Sequence, residues 1–253
     1  MSSDFSESYI DYPALEPEQK KYGATAFKFA IRFIAVSLIV FFLFSLIWVL
    51  AFRFTQPPSS FIMRRDQQQG IEIDRRPVAL SQISPHLILA IAAAEDQQFC
   101  THNGFDWSAI AKAQEHNEQT TRIRGASTIT MQTAKNAFLW PTRSWLRKGF
   151  EAYFTSLIEV LWPKSRILEV YLNLAEWGYG IYGAEAASMH YFGIPASKLS
   201  LHQATLLAAA LPTPTRSNPG QPTNYLIDRA AMIQEDMASM PGEYKTCLFV
   251  QTQ

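Results

Sequence analysis

The sequence predicts a mainly α-helical domain carried behind a single transmembrane helix. Phe33 to Phe52 runs for twenty residues without a charge. At ~1.5 Å rise per residue that run crosses a ~30 Å hydrocarbon core. Beyond residue 78, helix caps recur ahead of apolar runs: Ser84 with Pro85 at the first helical position, Ser144, and Ser200 with Gln203 in a capping-box pattern. Strand patterns are scarce, and Pro77 to Ile83 is at most a short extended piece. A chain of 253 residues has room for one sizeable domain and an appendage, and not for two large domains.

In chain order, residues 1–32 read as a cytoplasmic tail. Its first 22 residues are polar and rich in Ser, Glu and Tyr, a composition that stays disordered. The anchor occupies 33–52, with Trp48 placed as an interfacial residue. It is too long for a signal peptide, and no small-residue cleavage site follows it. Lys20, Lys21, Lys28 and Arg32 precede the span, against Arg53, Arg64 and Arg65 after it, which leans towards an N-terminus inside. Residues 53–76, with Pro57-Pro58-Ser59-Ser60, read as a linker. The folded domain is expected at 77–240, and 241–253 as a tail without signal. Lys and Arg number 22, as do Asp and Glu, so no basic excess exists for nucleic-acid phosphates. Cys100 and Cys247 are too few for a disulfide framework and lack metal spacing. With Cys247 in the tail, two free thiols are the expectation, although pairing stays open.

Four constellations carry chemistry. In the first, Leu87 to Ala94 forms a buried helix that ends in Glu95 and Asp96. A carboxylate delivered to such a place is costly unless paired or used, and a helix C-terminus disfavours its charge. Glu95 is therefore either a general base or acid with a raised pKa, or an acid that pairs with an Arg or closes the helix. Gln114 to Arg124 is polar and unpatterned, and reads as a surface loop. The second constellation is Arg124 to Leu139. Ser127 is placed to cap its helix, and Thr128, Gln132 and Lys135 fall on one narrow face. That hydroxyl, amide and ammonium suit anionic or sugar oxygens, or simply form a solvated face. In the third, Arg147, Lys148 and Glu151 share a helix face that runs on to Trp162. They form either a salt-bridge ladder or a cationic clamp beside a second acid. Trp140, Trp145, Phe150 and Tyr153 around it suit a membrane interface or a core. The fourth is Lys164 to Asn173, with Ile167, Tyr171 and Leu174 as a buried stripe, followed by a glycine-rich turn through Gly178, Gly180 and Gly183. Helices follow over Ala184 to Phe192 and Ser200 to Leu211; His190 and His202 stand isolated.

The segments EDQQFCTHNGFD, RGASTITMQTAK, RKGFE and KSRILEVYLN, in this order, resemble the signature motifs of the peptidoglycan glycosyltransferases, in particular the monofunctional transglycosylases of Gram-negative bacteria. The resemblance covers Ile83 to Pro219 and the anchor. No Ser-x-x-Lys and no room for a transpeptidase domain follow. It implies a lysozyme-like glycosyltransferase domain, mainly α and preceded by the single transmembrane helix, on the periplasmic face of the cell inner membrane. The implied reaction polymerises β-1,4-linked glycan from lipid II and releases undecaprenyl diphosphate. Glu95 matches the catalytic base and Glu151 the second essential acid. Lys135, Arg143, Arg147 and Lys148 match donor diphosphate and sugar contacts, and Ser127, Thr128 and Gln132 further donor-side contacts. Asp96, Phe99, His102 and Gly104 complete the first motif and shape the site, while Lys164, Tyr171 and Asn173 hold the structure. No cofactor is required, and a Mg or Mn ion near Glu151 is compatible with the resemblance. Implied partners are lipid II, the growing lipid-linked glycan, the membrane, and division or other wall-synthesis proteins. Met131 stands where the family usually has Gln, which predicts one hydrogen bond fewer and reduced activity. Two other readings are a lysozyme-like hydrolase, which has no need of four cations flanking a second acid, and a non-catalytic scaffold of the division machinery.

Overall fold

A computed structural model describes residues 18–120 and 125–249. The tail expected at its start and the last residues of the Gln114–Arg124 segment lie outside them. Helix α1, Glu18–Phe54, contains the apolar stretch Ala26–Phe54, long and apolar enough to cross a membrane. The chain divides into two compact units, residues 1–47 and 48–253. Among the described residues the first holds α1 as far as Ile47.

The second unit begins with the last turns of α1 and contains ten further helices and three short strands among the described residues. The stretch read as a linker is built into it. Trp48 packs edge-on against Phe138 and Phe154, and the Trp162 indole N–H donates to the Val49 carbonyl at 2.9 Å. The Arg166 guanidinium caps carbonyls at the end of the same helix, at Phe52 and Thr55, satisfying acceptors a helix C-terminus leaves open. Helix α2, Phe61–Gln68, is capped by Ser60 and buries Asp66. Strand β1, Asp74–Arg75, follows it. The segment expected to be extended, Pro77 to Ile83, contains a 3-10 turn at Leu80–Gln82.

Helix α3, Pro85–Glu95, starts at Ser84 with Pro85 in its first turn, as its caps predict. From Leu87 to Ala93 it is almost wholly apolar because that stretch is almost wholly buried. Its small residues Ala90, Ala92 and Ala93 permit close packing on α9, Leu201–Ala210. Helix α10, Asn224–Ser239, lies against both. Helix α4, Trp107–Gln119, capped by Asp106, takes in most of the stretch expected as a loop. Its Gln, Glu, Ala and Lys residues are good helix formers that need no buried face, and Gln114 reaches Glu118 one turn on. Helices α5, Ile129–Phe138, α6, Trp145–Leu161, and α7, Lys164–Leu174, pack with α5 in the middle. Ile167, Tyr171 and Leu174 are all buried.

Strands β2, Glu176–Gly178, and β3, Ile181–Tyr182, form a hairpin that β1 joins in parallel, in the order β1-β3-β2. Its turn needs Gly180, at φ +75°, where a Cβ would run into the Glu72 carbonyl. Asn173 ties this sheet to α7 by exchanging amide bonds with both the N–H and C=O of Val78 at 2.8–2.9 Å. Helix α8, Ala184–Phe192, leads to α9.

Two expectations for the C-terminus are corrected. Residues Glu243–Phe249 form helix α11, with Tyr244 and Leu248 buried. Cys247 on that helix is disulfide-bonded to Cys100, so neither is a free thiol. The Tyr244 hydroxyl donates to the Gln97 carbonyl. These contacts bring together residues 147 positions apart, which local pattern cannot register.

Candidate active site

Two clefts meet at Gln132 and Lys135. The larger, of about 280 Å³, is lined by Ser127, Met131, Arg143, Arg147, Lys148 and Glu151 together with the shared pair. The smaller, of about 170 Å³, contains Glu95, Asn136, Tyr171, Glu176 and Tyr182 with apolar walls from Ile62, Leu174, Leu211 and Pro214.

Glu95 is the last residue of α3. Its Oε2 accepts a hydrogen bond from the Gln132 side-chain N–H at 2.9 Å. The Gln132 carbonyl oxygen in turn faces the Tyr171 hydroxyl at 3.4 Å. Burial pushes the Glu95 carboxyl above its ordinary value; Gln132, and more weakly Arg229 and Lys135, pull it back. The raised pKa expected from the helix terminus is present, but desolvation is its main cause. Glu95 has neither an ion pair within 4 Å nor an Arg hydrogen-bond partner among the described residues, although it does close its helix.

Asp96, its neighbour, points the other way. Its carboxylate receives the Ile129 backbone N–H at 3.0 Å and the His102 ring at 2.9 Å. With His102 Nδ1 accepting the Gly104 N–H at 3.1 Å, its Nε2–H is the donor to Asp96. The Thr128 hydroxyl donates to the Gly104 carbonyl at 2.7 Å and accepts the Met131 N–H as N-cap of α5. Gly104 sits at φ +90°, with Thr155 and Glu159 too close for a Cβ. The cap thus falls on Thr128, one residue after Ser127, because Asp96 already holds the first N–H of the helix. Asp96, His102 and Thr128 are polar groups consumed in fastening the first motif to α5, and Phe99 is fully buried beside them. Thr128 therefore does not share the open face of Gln132 and Lys135, whereas Ser127 is exposed on the cleft. The Lys164 ammonium lies 4.6 Å from the Phe99 ring centroid and donates to the His102 carbonyl and to Glu159, a structural place as expected.

Glu151 is buried and takes the Arg147 guanidinium on one oxygen at 2.6 Å and the Lys148 ammonium on the other at 2.5 Å. The Arg147 Nε–H is buried without a partner among the described residues. Lys135 has no ion pair or side-chain hydrogen bond among the described residues, and burial pushes its pKa down while Glu151 and Glu95 draw it up. Arg143 is exposed on the rim. A desolvated ammonium, an orphaned guanidinium N–H and two further cations around one acid form a site that awaits an anion. Met131 is buried, with its side chain on the wall of this cleft. Trp145 and Leu146 project into solvent, while Phe150 and Tyr153 pack on the core.

The residues present do not build a divalent-cation site. Both Glu151 oxygens already hold cations, and no group of three or more His, Cys, Asp or Glu residues is placed to bind a metal among the described residues.

Sequence reasoning missed Arg229, whose charge acts on Glu95, along with Asn136, Glu176 and Tyr182 of the smaller cleft. The signal for helix α10 was there to be used: Thr223 caps it, and Leu226, Ala230 and Ile233 form a buried i, i+4, i+7 stripe. Its packing on α3 and α9 had no local signal.

The transglycosylase family model matches residues 64–238. A biosynthetic peptidoglycan transglycosylase of Rhodospirillum centenum is 58% identical over 189 residues, covering 74% of this chain and 82% of the relative. Proteins of the same name from Pseudomonas putida and Aeromonas hydrophila are 46% and 55% identical, covering 84% and 67% of this chain and 92% and 72% of their own.

Proposed function

The chain belongs to the transglycosylase family, and from that premise we propose how its two clefts polymerise glycan. It is a peptidoglycan glycosyltransferase that extends glycan chains in cell wall synthesis, acting on lipid II and lipid-linked glycan. The observation that carries the assignment of roles is the meeting of a desolvated, unpaired carboxylate and an anion-seeking cationic cleft at Gln132 and Lys135.

Glu95 is the general base. It takes the proton from the 4-hydroxyl of the N-acetylglucosamine of lipid II, the acceptor. That oxygen attacks the anomeric carbon of the N-acetylmuramic acid at the lipid-linked end of the growing strand. The new C–O bond forms as the bond to the α-linked diphosphate breaks, so the configuration inverts to β. The electron pair leaves with undecaprenyl diphosphate, and Glu95 returns its proton to solvent. In-line displacement needs the base on one side and stabilised leaving charge on the other. Lys135, Arg147, Lys148 and Arg143 supply that stabilisation, and Lys135, on the wall of both clefts, stands between base and leaving group. Glu151 holds Arg147 and Lys148 in place. Ser127 and Gln132 contact the donor side; Asp96, Phe99, His102 and Thr128 position the motifs. The chain is anchored by α1, the one described helix long and apolar enough to cross a membrane, and the reading places that anchor in the inner membrane, N-terminus inside, with the domain in the periplasm. Exposed Trp145 and Leu146 suit contact with the bilayer that carries the substrate. Partners among division or other wall-synthesis proteins belong to the same reading.

The test is incubation of the purified full chain with labelled lipid II in detergent. Glycan polymer from the wild type and none from Glu95→Gln is expected. Absence of polymer from the wild type across detergent, divalent-ion and pH variation would overturn the enzyme reading. Soluble fragments released from purified cell wall would favour a hydrolase instead.

A further inference from the structure

Glu176 is the first residue of β2, and its side chain lines the smaller cleft with Glu95, Tyr171 and Tyr182. It is half-buried, yet it has no ion pair and no side-chain hydrogen bond among the described residues. The charged and hydroxyl groups of α2 and β3 near it are already committed. Arg65 holds Asp66 through two N–H bonds at 2.7 and 2.9 Å, and the Tyr182 hydroxyl donates to the other Asp66 oxygen at 2.5 Å. Burial and the Asp66 charge push the Glu176 carboxyl upward, only partly offset by Arg65. A carboxylate held in such surroundings without a donor is costly unless a ligand supplies one.

Its backbone is held in the small sheet. Glu176 pairs with Tyr182 across the hairpin, and the β3 end of that hairpin is fastened to β1. A polar group on such an element is well placed for recognition. Leu174, Leu211 and Pro214 give the cleft apolar walls beside the polar Gln132, Lys135 and Asn136, and a cleft of apolar walls with a few aimed polar groups orients its ligand through those groups. A sugar ring beside Glu95 presents hydroxyls and an N-acetyl N–H, all donors.

We propose that Glu176 is an acceptor-specificity residue, whose carboxylate accepts hydrogen bonds from the acceptor sugar's hydroxyl or amide donors and so orients its nucleophilic oxygen towards Glu95. This rests on the assignment of Glu95 as base and of the smaller cleft to the acceptor. The side chain binds and orients; it transfers no proton.

The experiment uses the full chain in detergent with two substrates varied separately: lipid II as acceptor and a lipid-linked tetrasaccharide as donor. Loss of a hydrogen bond to a charged group predicts a rise of about tenfold or more in KM for lipid II in Glu176→Ala. The donor KM should stay within about twofold and kcat within about threefold. Glu176→Gln, which keeps the shape and one acceptor oxygen, should show a smaller rise. The inference is overturned if the lipid II KM of both variants stays within about twofold of wild type, or if donor and acceptor KM rise together, as a merely structural role would give. Glu95→Gln runs alongside: if it polymerises like wild type, the base assignment falls. If it is inactive and the Glu176 variants bind lipid II normally, only the present inference falls.

Discussion

Replacing Gln132 by Met should move the acidic limb of the pH–rate profile upward. Glu95 must be ionised to accept the acceptor's proton, so the rate rises with pH through its pKa. Burial has already raised that pKa, and the Gln132 N–H, 2.9 Å from Oε2, is the largest influence pulling it back. Met has a similar length and an unbranched stem but no N–H, so the charged form of Glu95 loses its donor while the α5 backbone keeps its side-chain volume. A hydrogen bond to a charged group contributes about 1.5–3 kcal/mol. At 1.36 kcal/mol per unit, the limb should shift upward by about 1–2 pH units. The plateau will also fall, because Gln132 lines both clefts. Limb position and plateau height are separate readouts. The assay is the initial rate of glycan formation from labelled lipid II, with kcat/KM measured at closely spaced pH values. A limb that stays within about 0.3 unit of wild type, or moves downward, would refute the claim that the Gln132–Glu95 bond sets the base's ionisation.

Three further outcomes follow from the same geometry. Glu95→Gln should abolish polymerisation and stabilise the fold at neutral pH. A carboxyl whose folded pKa is raised contributes stability that is fully present below its ordinary value of 4.5 and is lost as pH rises through the raised value; thermal unfolding should therefore show the variant's advantage shrinking as pH falls, and an equal advantage at every pH would contradict this. Lys135→Met removes a desolvated ammonium without an ion pair, so the melting temperature should rise while kcat/KM drops about 10²–10³-fold; turnover within threefold of wild type would remove Lys135 from the leaving-group site. Cys100→Ser and Cys247→Ser should each cost about 2–5 kcal/mol of stability, because the bridge closes a long loop; the double variant should cost no more than either single one, and summed losses in denaturant titration would mean that the thiols act separately.

The parts of the molecule that were readable in advance are those written in local chemistry. Ser84-Pro85, Ser144 and Ser200 with Gln203 cap the helices they were expected to cap, because a cap is a contact between residues two or three apart. The Arg147–Lys148–Glu151 cluster formed on one face for the same reason of helical spacing. Local chemistry failed where two partners compete for one group. Ser127 was placed as the cap and Thr128 on the open face, whereas bonds to the Gly104 carbonyl and from Ile129 to Asp96, more than twenty residues away, fasten Thr128 at the cap. It failed again at Gln114 to Gln119, where a polar surface helix has no apolar stripe to announce it.

By itself the sequence determined the apolar N-terminal helix and the mainly helical class, which rest on composition and on spacing within one helix. Glu95 and Glu151 were singled out by the resemblance of four motifs in order, because spacing alone left a structural role open for each. Tertiary structure alone decided which acids stay open. Among the described residues, Asp96 is spent on His102 and Ile129, the Glu95 carboxylate accepts from Gln132, and Glu176 has no donor. It also decided that Cys247 returns to Cys100 and that Arg229 acts on Glu95. The physical reason is that desolvation and pairing are properties of the space around a group. That space is built by residues from α2, α5, α7, α9, α10 and the β2–β3 hairpin, which the chain brings together only on folding.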